Sequence, residues 1–155
     1  MAKIHFLNVD EGDCSIIQHD NGNIVEQQHS VVTFSTESVN TIKGNFNMKA
    51  YPTNPVEYIK RWRMSSIFRY IQTHPDMDHM DGLKNLANSK PILNFWDTAN
   101  TKEQSFDEHG NCGRYKKEDW DCYQRLRNSA DNPKSLTFYD GAIAKYFAED
   151  DNCLL

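Results

Sequence analysis

The chain has 155 residues and a net charge of −5, enough for one domain with a modest core. Its apolar share is 38% and no run nears the ~18 residues of a membrane span, while Met1-Ala2-Lys3 leads into a strand rather than a signal peptide. The acidic balance argues against non-specific binding along phosphate backbones, which needs clustered Lys and Arg.

The first strand is expected over Ile4-His5-Phe6-Leu7-Asn8-Val9, where β-branched and aromatic residues recur. A Gly12-Asp13 turn leads to a second strand, Cys14-Ser15-Ile16-Ile17-Gln18, and Asp20-Asn21-Gly22-Asn23 is a strong hairpin signal. His5 and His19 read as strand or turn residues. Val31 to Thr36 suits a further strand, and Glu37 to Ala50 is polar without sustained periodicity, a long loop. Asn54-Pro55-Val56-Glu57 opens a helix: asparagine caps it, proline fits its first position, and Glu57 completes a box-like arrangement. Val56, Ile59 and Trp62 or Arg63 mark its buried face.

Ile67-Phe68-Arg69-Tyr70-Ile71 reads as a short buried strand, and Leu83, Leu86 and Ala87 recur at the spacing of one helical face. Pro91 to Trp96 is the next strand, ending in Asp97-Thr98. Residues 99 to 116 read as a polar loop in which His109 is a solvated residue rather than a ligand. Glu118 to Arg127 is an amphipathic helix, acidic at its start and basic at its end, with Trp120 and Tyr123 as core contacts. Ser135 to Tyr139 and Ala144 to Phe147 suit strands about an Asp140-Gly141 turn. Strands alternating with helices predict an α/β fold with a mixed sheet and flanking helices. Cys14, Cys112, Cys122 and Cys153 lack Cys-x-x-Cys spacing and read as free thiols in a reducing, cytoplasmic setting.

Between the buried strand and the following helix lies Thr73-His74-Pro75-Asp76-Met77-Asp78-His79-Met80-Asp81-Gly82-Leu83. This places His74, Asp76, Asp78 and His79 on a loop at the carboxyl end of a strand, the edge where open α/β sheets bind ligands. Imidazole and carboxylate together suit zinc, manganese or iron, whereas calcium and magnesium sites are built mostly from oxygens. Without a cation, Asp76, Asp78 and Asp81 repel one another. The alternative is an exposed acidic loop with two incidental histidines.

The loop resembles the Thr-His-x-His-x-Asp-His-x-Gly-Gly-Leu segment of the metallo-β-lactamase fold, in its ComEC-like competence-protein branch. Phe6-Leu7-Asn8-Val9-Asp10-Glu11-Gly12-Asp13-Cys14 is similar to that branch's opening strand and turn. The resemblance implies an αββα sandwich, of which residues 1–155 would form a single partial domain, the N-terminal half only. It also implies one or two divalent metal ions at His74, Asp76, Asp78 and His79. Zinc is the first expectation, with manganese or iron as alternatives. Asp78 is the catalytic residue it implies, binding metal and orienting the nucleophile. Asp76 stands where the family usually has a second histidine, a harder ligand that shifts preference away from zinc.

The function these readings imply is a metal-dependent hydrolase acting on a small-molecule or phosphodiester substrate, in a truncated chain. A different class stays open beside it: a non-catalytic metal-binding or regulatory remnant. That second reading rests on the absent aspartate near Gln28, where the family ends a strand with one. No membrane partner is expected. Self-association is, through a sheet face bearing Phe6, Ile16, Ile71 and Phe95.

Overall fold

Eight strands and three helices make up the described part of the chain, in the order β1 (Lys3–Leu7), β2 (Cys14–His19), β3 (His29–Phe34), α1 (Pro55–Arg61), β4 (Ile67–Ile71), α2 (Leu83–Ser89), β5 (Ile92–Thr98), β6 (Asn111–Cys112), β7 (Tyr115–Lys116), α3 (Lys117–Arg127) and β8 (Lys134–Phe138). They come from a computed structural model that describes residues 3–8, 14–19, 29–34, 53–62 and 64–139, with backbone alone at 19 and 29–34. The expected Asn21-Gly22 turn, the loop of Glu37 to Ala50, the position near Gln28, the strand at Ala144 to Phe147 and Cys153 lie outside these residues.

Six strands form one mixed sheet in the order β1-β2-β3-β4-β5-β8. β1, β2 and β3 pair antiparallel, and β3, β4, β5 and β8 run parallel. β6 and β7 form a separate small hairpin inside the stretch that reads as loop. The described residues are therefore a mixed α/β arrangement. Among them, no helix is long and apolar enough to cross a membrane.

The interior sits between the sheet and the helices. Tyr70 of β4 stacks on its register partner Phe95 of β5, with ring centroids 5.2 Å apart, and Tyr123 of α3 closes on Phe95 at 6.1 Å. Ile59, Met64, Ile67, Leu83 and Leu86 are fully or nearly fully buried beside them. Burying a side chain of this size contributes roughly 1.5–3 kcal/mol. Trp120 and Tyr123 are core contacts, as their spacing suggests.

α1 forms where its capping sequence predicts. Asn54 Oδ1 accepts hydrogen bonds from the backbone N–H of Val56 (2.9 Å) and Glu57 (3.2 Å), which satisfies two donors of the first turn. Glu57 pairs forward with Lys60 at 2.8 Å rather than back to the cap. Trp62 is not part of the buried face: it is exposed and packs edge-on against His5 of β1. His5 also lies 2.8 Å from the Tyr58 hydroxyl, a structural role.

The expected grouping of Phe6, Ile16, Ile71 and Phe95 on one face is incorrect. The β1–β2 register pairs His5 with Ile16 and Phe6 with Ser15, so strand alternation sends Phe6 and Ile16 to opposite sides. Phe6 is 79% exposed, while Ile16 and Phe95 lie in the core. Ile71 pairs with Trp96, not Phe95, and so faces away from that core. Cys14, Cys112 and Cys122 are free thiols, and burial pushes the Cys14 thiol up to about 12, too high for a nucleophile at neutral pH.

Candidate metal centre

β4 ends at Ile71, and the next residue anchors the loop. Gln72 is buried, and its backbone N–H continues the sheet by donating to the Trp96 carbonyl at 2.8 Å. Its Nε2 donates to the carbonyls of both His74 (2.7 Å) and His79 (3.1 Å), and its Oε1 accepts from the Tyr70 hydroxyl (3.0 Å). One amide thus ties together the two backbone positions that carry the histidines. Gln72 was missed in the sequence, where a polar residue after a strand reads only as the strand's end.

The loop then makes a 3-10 turn over Met77–His79, with the His79 N–H donating to the Asp76 carbonyl at 2.9 Å. Met77 and Met80 point into the core, while Asp76 and Asp78 beside and between them stay about half exposed. Gly82 has φ of 86°, a left-handed conformation in which a β-carbon is strained, and it starts α2. Asp119 of α3 caps that start: its carboxylate accepts from the N–H groups of Gly82 (3.1 Å) and Lys84 (2.8 Å). Burial pushes the Asp119 carboxyl above its ordinary range, against the pull of those two hydrogen bonds. In the sequence Asp119 looks like a first-turn acid of its own helix, and only packing turns it onto another.

On this scaffold the four predicted ligands stand as two pairs, His74 with Asp76 and His79 with Asp78. The His74 and His79 rings are in contact, with centroids 3.7 Å apart. Asp76 Oδ2 lies 4.0 Å from His74 Nε2, and Asp78 Oδ2 lies 3.3 Å from His79 Nε2. His74 Nδ1 is 3.0 Å from the Thr73 hydroxyl. His79 Nδ1 is buried and has no hydrogen-bond partner. Asp76 and Asp78 are about half exposed, at 46% and 44%, and His79 is mostly covered, at 21%. Asp81, by contrast, is buried.

Two imidazoles and two carboxylates are the donor types a transition-metal ion takes. The side chains stand as two imidazole–carboxylate pairs: among the described residues, no three His, Cys, Asp or Glu side chains are grouped to hold an ion as they are. The other oxygen of Asp76 is paired with the Lys102 ammonium from the loop after β5. That hydrogen bond is the main reason the Asp76 carboxyl is held below its ordinary range. Lys102 gave no signal in the sequence, lying in a polar stretch without periodicity. His109 is exposed beside Glu108, at 3.4 Å, and does not join the loop histidines.

A second polar cluster sits at the end of the neighbouring strand. Asp97 of β5 is buried, and its Oδ2 accepts from the Tyr123 hydroxyl at 2.8 Å and lies 3.0 Å from Arg127 Nε. Arg127 also donates to the Asn100 carbonyl (2.6 Å) and side-chain oxygen (3.2 Å). Burial raises the Asp97 carboxyl, with the Tyr123 hydrogen bond and the Arg127 charge opposing it. Its ion pair and hydrogen bonds tie β5 to α3 as a strut, and the other Asp97 oxygen, Oδ1, is buried without a hydrogen-bond partner.

Compared with known proteins, the chain matches no family model, and no curated protein matches it.

Proposed function

We propose that this protein is a metal-dependent hydrolase of the metallo-β-lactamase type, in which His74, Asp76, Asp78 and His79 hold one or two divalent ions. The observation that carries this reading is the contact of the two imidazoles, 3.7 Å apart, each with a carboxylate oxygen within 4.0 Å of its Nε2. Their place at the carboxyl end of a parallel strand supports it. Zinc suits the imidazoles, and the Asp76 carboxylate also admits manganese or iron. When bound, such an ion supplies Lewis acidity and lowers the pKa of a coordinated water from about 15.7 toward ~7.

The chain's own residues then have distinct tasks. Gln72 holds the backbone at both histidines, so that their rings stay in reach of one another. Asp78 is exposed enough to meet a substrate and close enough to His79 to orient the attacking water by accepting its proton. A small ester or a phosphodiester is the substrate class in keeping with that chemistry, by the resemblance of the loop.

A second reading has one observation in its favour. Lys102 on Asp76 gives that carboxylate a cation already, which suits a metal-binding or regulatory module that does not turn over substrate. One experiment separates the readings. Purified protein is loaded with zinc or manganese, its metal content is measured, and the loaded protein is offered a chromogenic phosphodiester and a carboxylic ester. The expected outcome is about one equivalent of metal and measurable hydrolysis, with both lost in Asp78→Ala/His79→Ala. Metal uptake without turnover favours the second reading. Equal metal in the wild type and the double variant overturns the site itself.

A further inference from the structure

The pairing of Lys102 with Asp76 joins the loop after β5 to the loop after β4, across 26 residues of chain. Asp76 therefore meets a cation at Oδ1 and an imidazole at Oδ2, the latter 4.0 Å from His74 Nε2. Asp78 is placed differently, with its Oδ2 next to His79 at 3.3 Å. The two exposed carboxylates of the loop are thus unequal, and the difference is one lysine.

We propose that Lys102 is a tethered competitor for the candidate metal site: its ammonium neutralises Asp76 when no ion is bound, and uptake of a divalent cation requires it to leave. This rests on the reading of the loop as a metal site. The physical reason is charge. A divalent ion and an ammonium on the same carboxylate repel each other within a few ångströms, in a setting less screened than bulk water. The displacement is structurally easy. Lysine carries a compact charge on a flexible stem, and the Lys102 side chain is 38% exposed. It also lines a cleft of about 540 Å³ with Trp120, Gln124 and Arg127, which gives the freed ammonium solvated room. Lys102 then sets how tightly an ion must bind to win the site, and weakly held ions are rejected.

The test is zinc affinity, measured on the full chain by competition with a chromophoric chelator, for the wild type, Lys102→Met and Lys102→Arg. Lys102→Met is expected to bind zinc at least about tenfold more tightly, because one competing charge is removed. Lys102→Arg keeps the charge and is expected to stay within about threefold of the wild type. A second readout needs no variant. Acetylation of wild-type lysines by an N-hydroxysuccinimide ester, followed by mass spectrometry, should show Lys102 labelling rise when zinc is added, with exposed Lys134 unchanged. Equal zinc affinity in the wild type and Lys102→Met overturns the competitor role and leaves the metal loop standing. No zinc uptake by either protein overturns both. If Lys102→Met does not fold, labelling decides: zinc bound with Lys102 no more reactive than before overturns the proposal.

Discussion

β4 and β5 lie side by side in parallel, and both end at the same edge of the sheet with ionisable side chains. The end of β5 is closed. Asp97 has a side chain with 0% exposure, and Tyr123 and Arg127 meet one of its oxygens. The end of β4 is open. Its carboxylates are about half exposed and its imidazoles touch each other, while a buried atom without a hydrogen-bond partner occurs at both ends, His79 Nδ1 here and Asp97 Oδ1 at β5. Position at the ligand-binding edge is common to both, so position alone does not separate a strut from a site. Exposure does: the Asp97 side chain is sealed from solvent, whereas the loop carboxylates are within reach of a ligand.

The largest effect should come from breaking the closed end. In Asp97→Ala, Arg127 keeps its charge in a largely buried place with Asn100 and the Tyr123 ring left to meet it, and the Tyr123 hydroxyl loses its strongest partner. The cost expected is about 3 kcal/mol, against a gain from no longer burying a carboxylate. Urea unfolding followed by tryptophan fluorescence measures it. A loss under about 1 kcal/mol would put the two strand ends on the same footing, and the contrast would fail.

An intermediate effect is expected at the hinge between the two behaviours. Gln72→Leu leaves the carbonyls of His74 and His79 and the Tyr70 hydroxyl without their amide partner. About 2 kcal/mol of stability should be lost. Hydrogen exchange should also quicken at His79 and Met80, whose N–H groups close the 3-10 turn. Stability lost with no change in exchange at that turn would mean that Gln72 supports the sheet and not the loop.

The smallest effect is electrostatic and has a definite sign. Burial raises the Asp97 carboxyl in the folded chain, so between its unfolded and folded pKa the native state holds more protons than the unfolded one. Its contribution to stability therefore falls as pH rises through that window and is recovered on acidification. Asp107 is shifted the other way, held low by the N–H groups of Asn111 and His109, and its contribution is lost as pH falls below the ordinary carboxyl range. The urea midpoint of the wild type, compared with Asp97→Asn between pH 7 and pH 4, isolates the Asp97 part. The wild type should gain slightly on the variant as pH drops. A wild type that loses ground to Asp97→Asn would mean that Tyr123 and Arg127 outweigh burial.

What the amino-acid sequence determined by itself about this protein is what short range decides. Asn54 caps α1 because the donors it satisfies are two and three residues away. Ile67–Ile71 is a strand and Leu83–Ser89 a helix because their apolar spacing is set within a few residues, and the loop between them carries its histidines and aspartates in one unbroken stretch. Tertiary structure alone decided what meets that loop. Lys102 reaches Asp76 over 26 residues, Asp119 caps Gly82 over 37, and Tyr123 meets Asp97 over 26. None of these partners has a local pattern to betray it, since an acid at a helix start or a lysine in a polar loop is equally at home in water. The β6–β7 hairpin was hidden for a related reason, its strands being two residues each, too short for alternation to register. The face on which Phe6 lies was settled only by pairing, because a one-residue change of register between β1 and β2 exchanges the buried side of a strand for the exposed one.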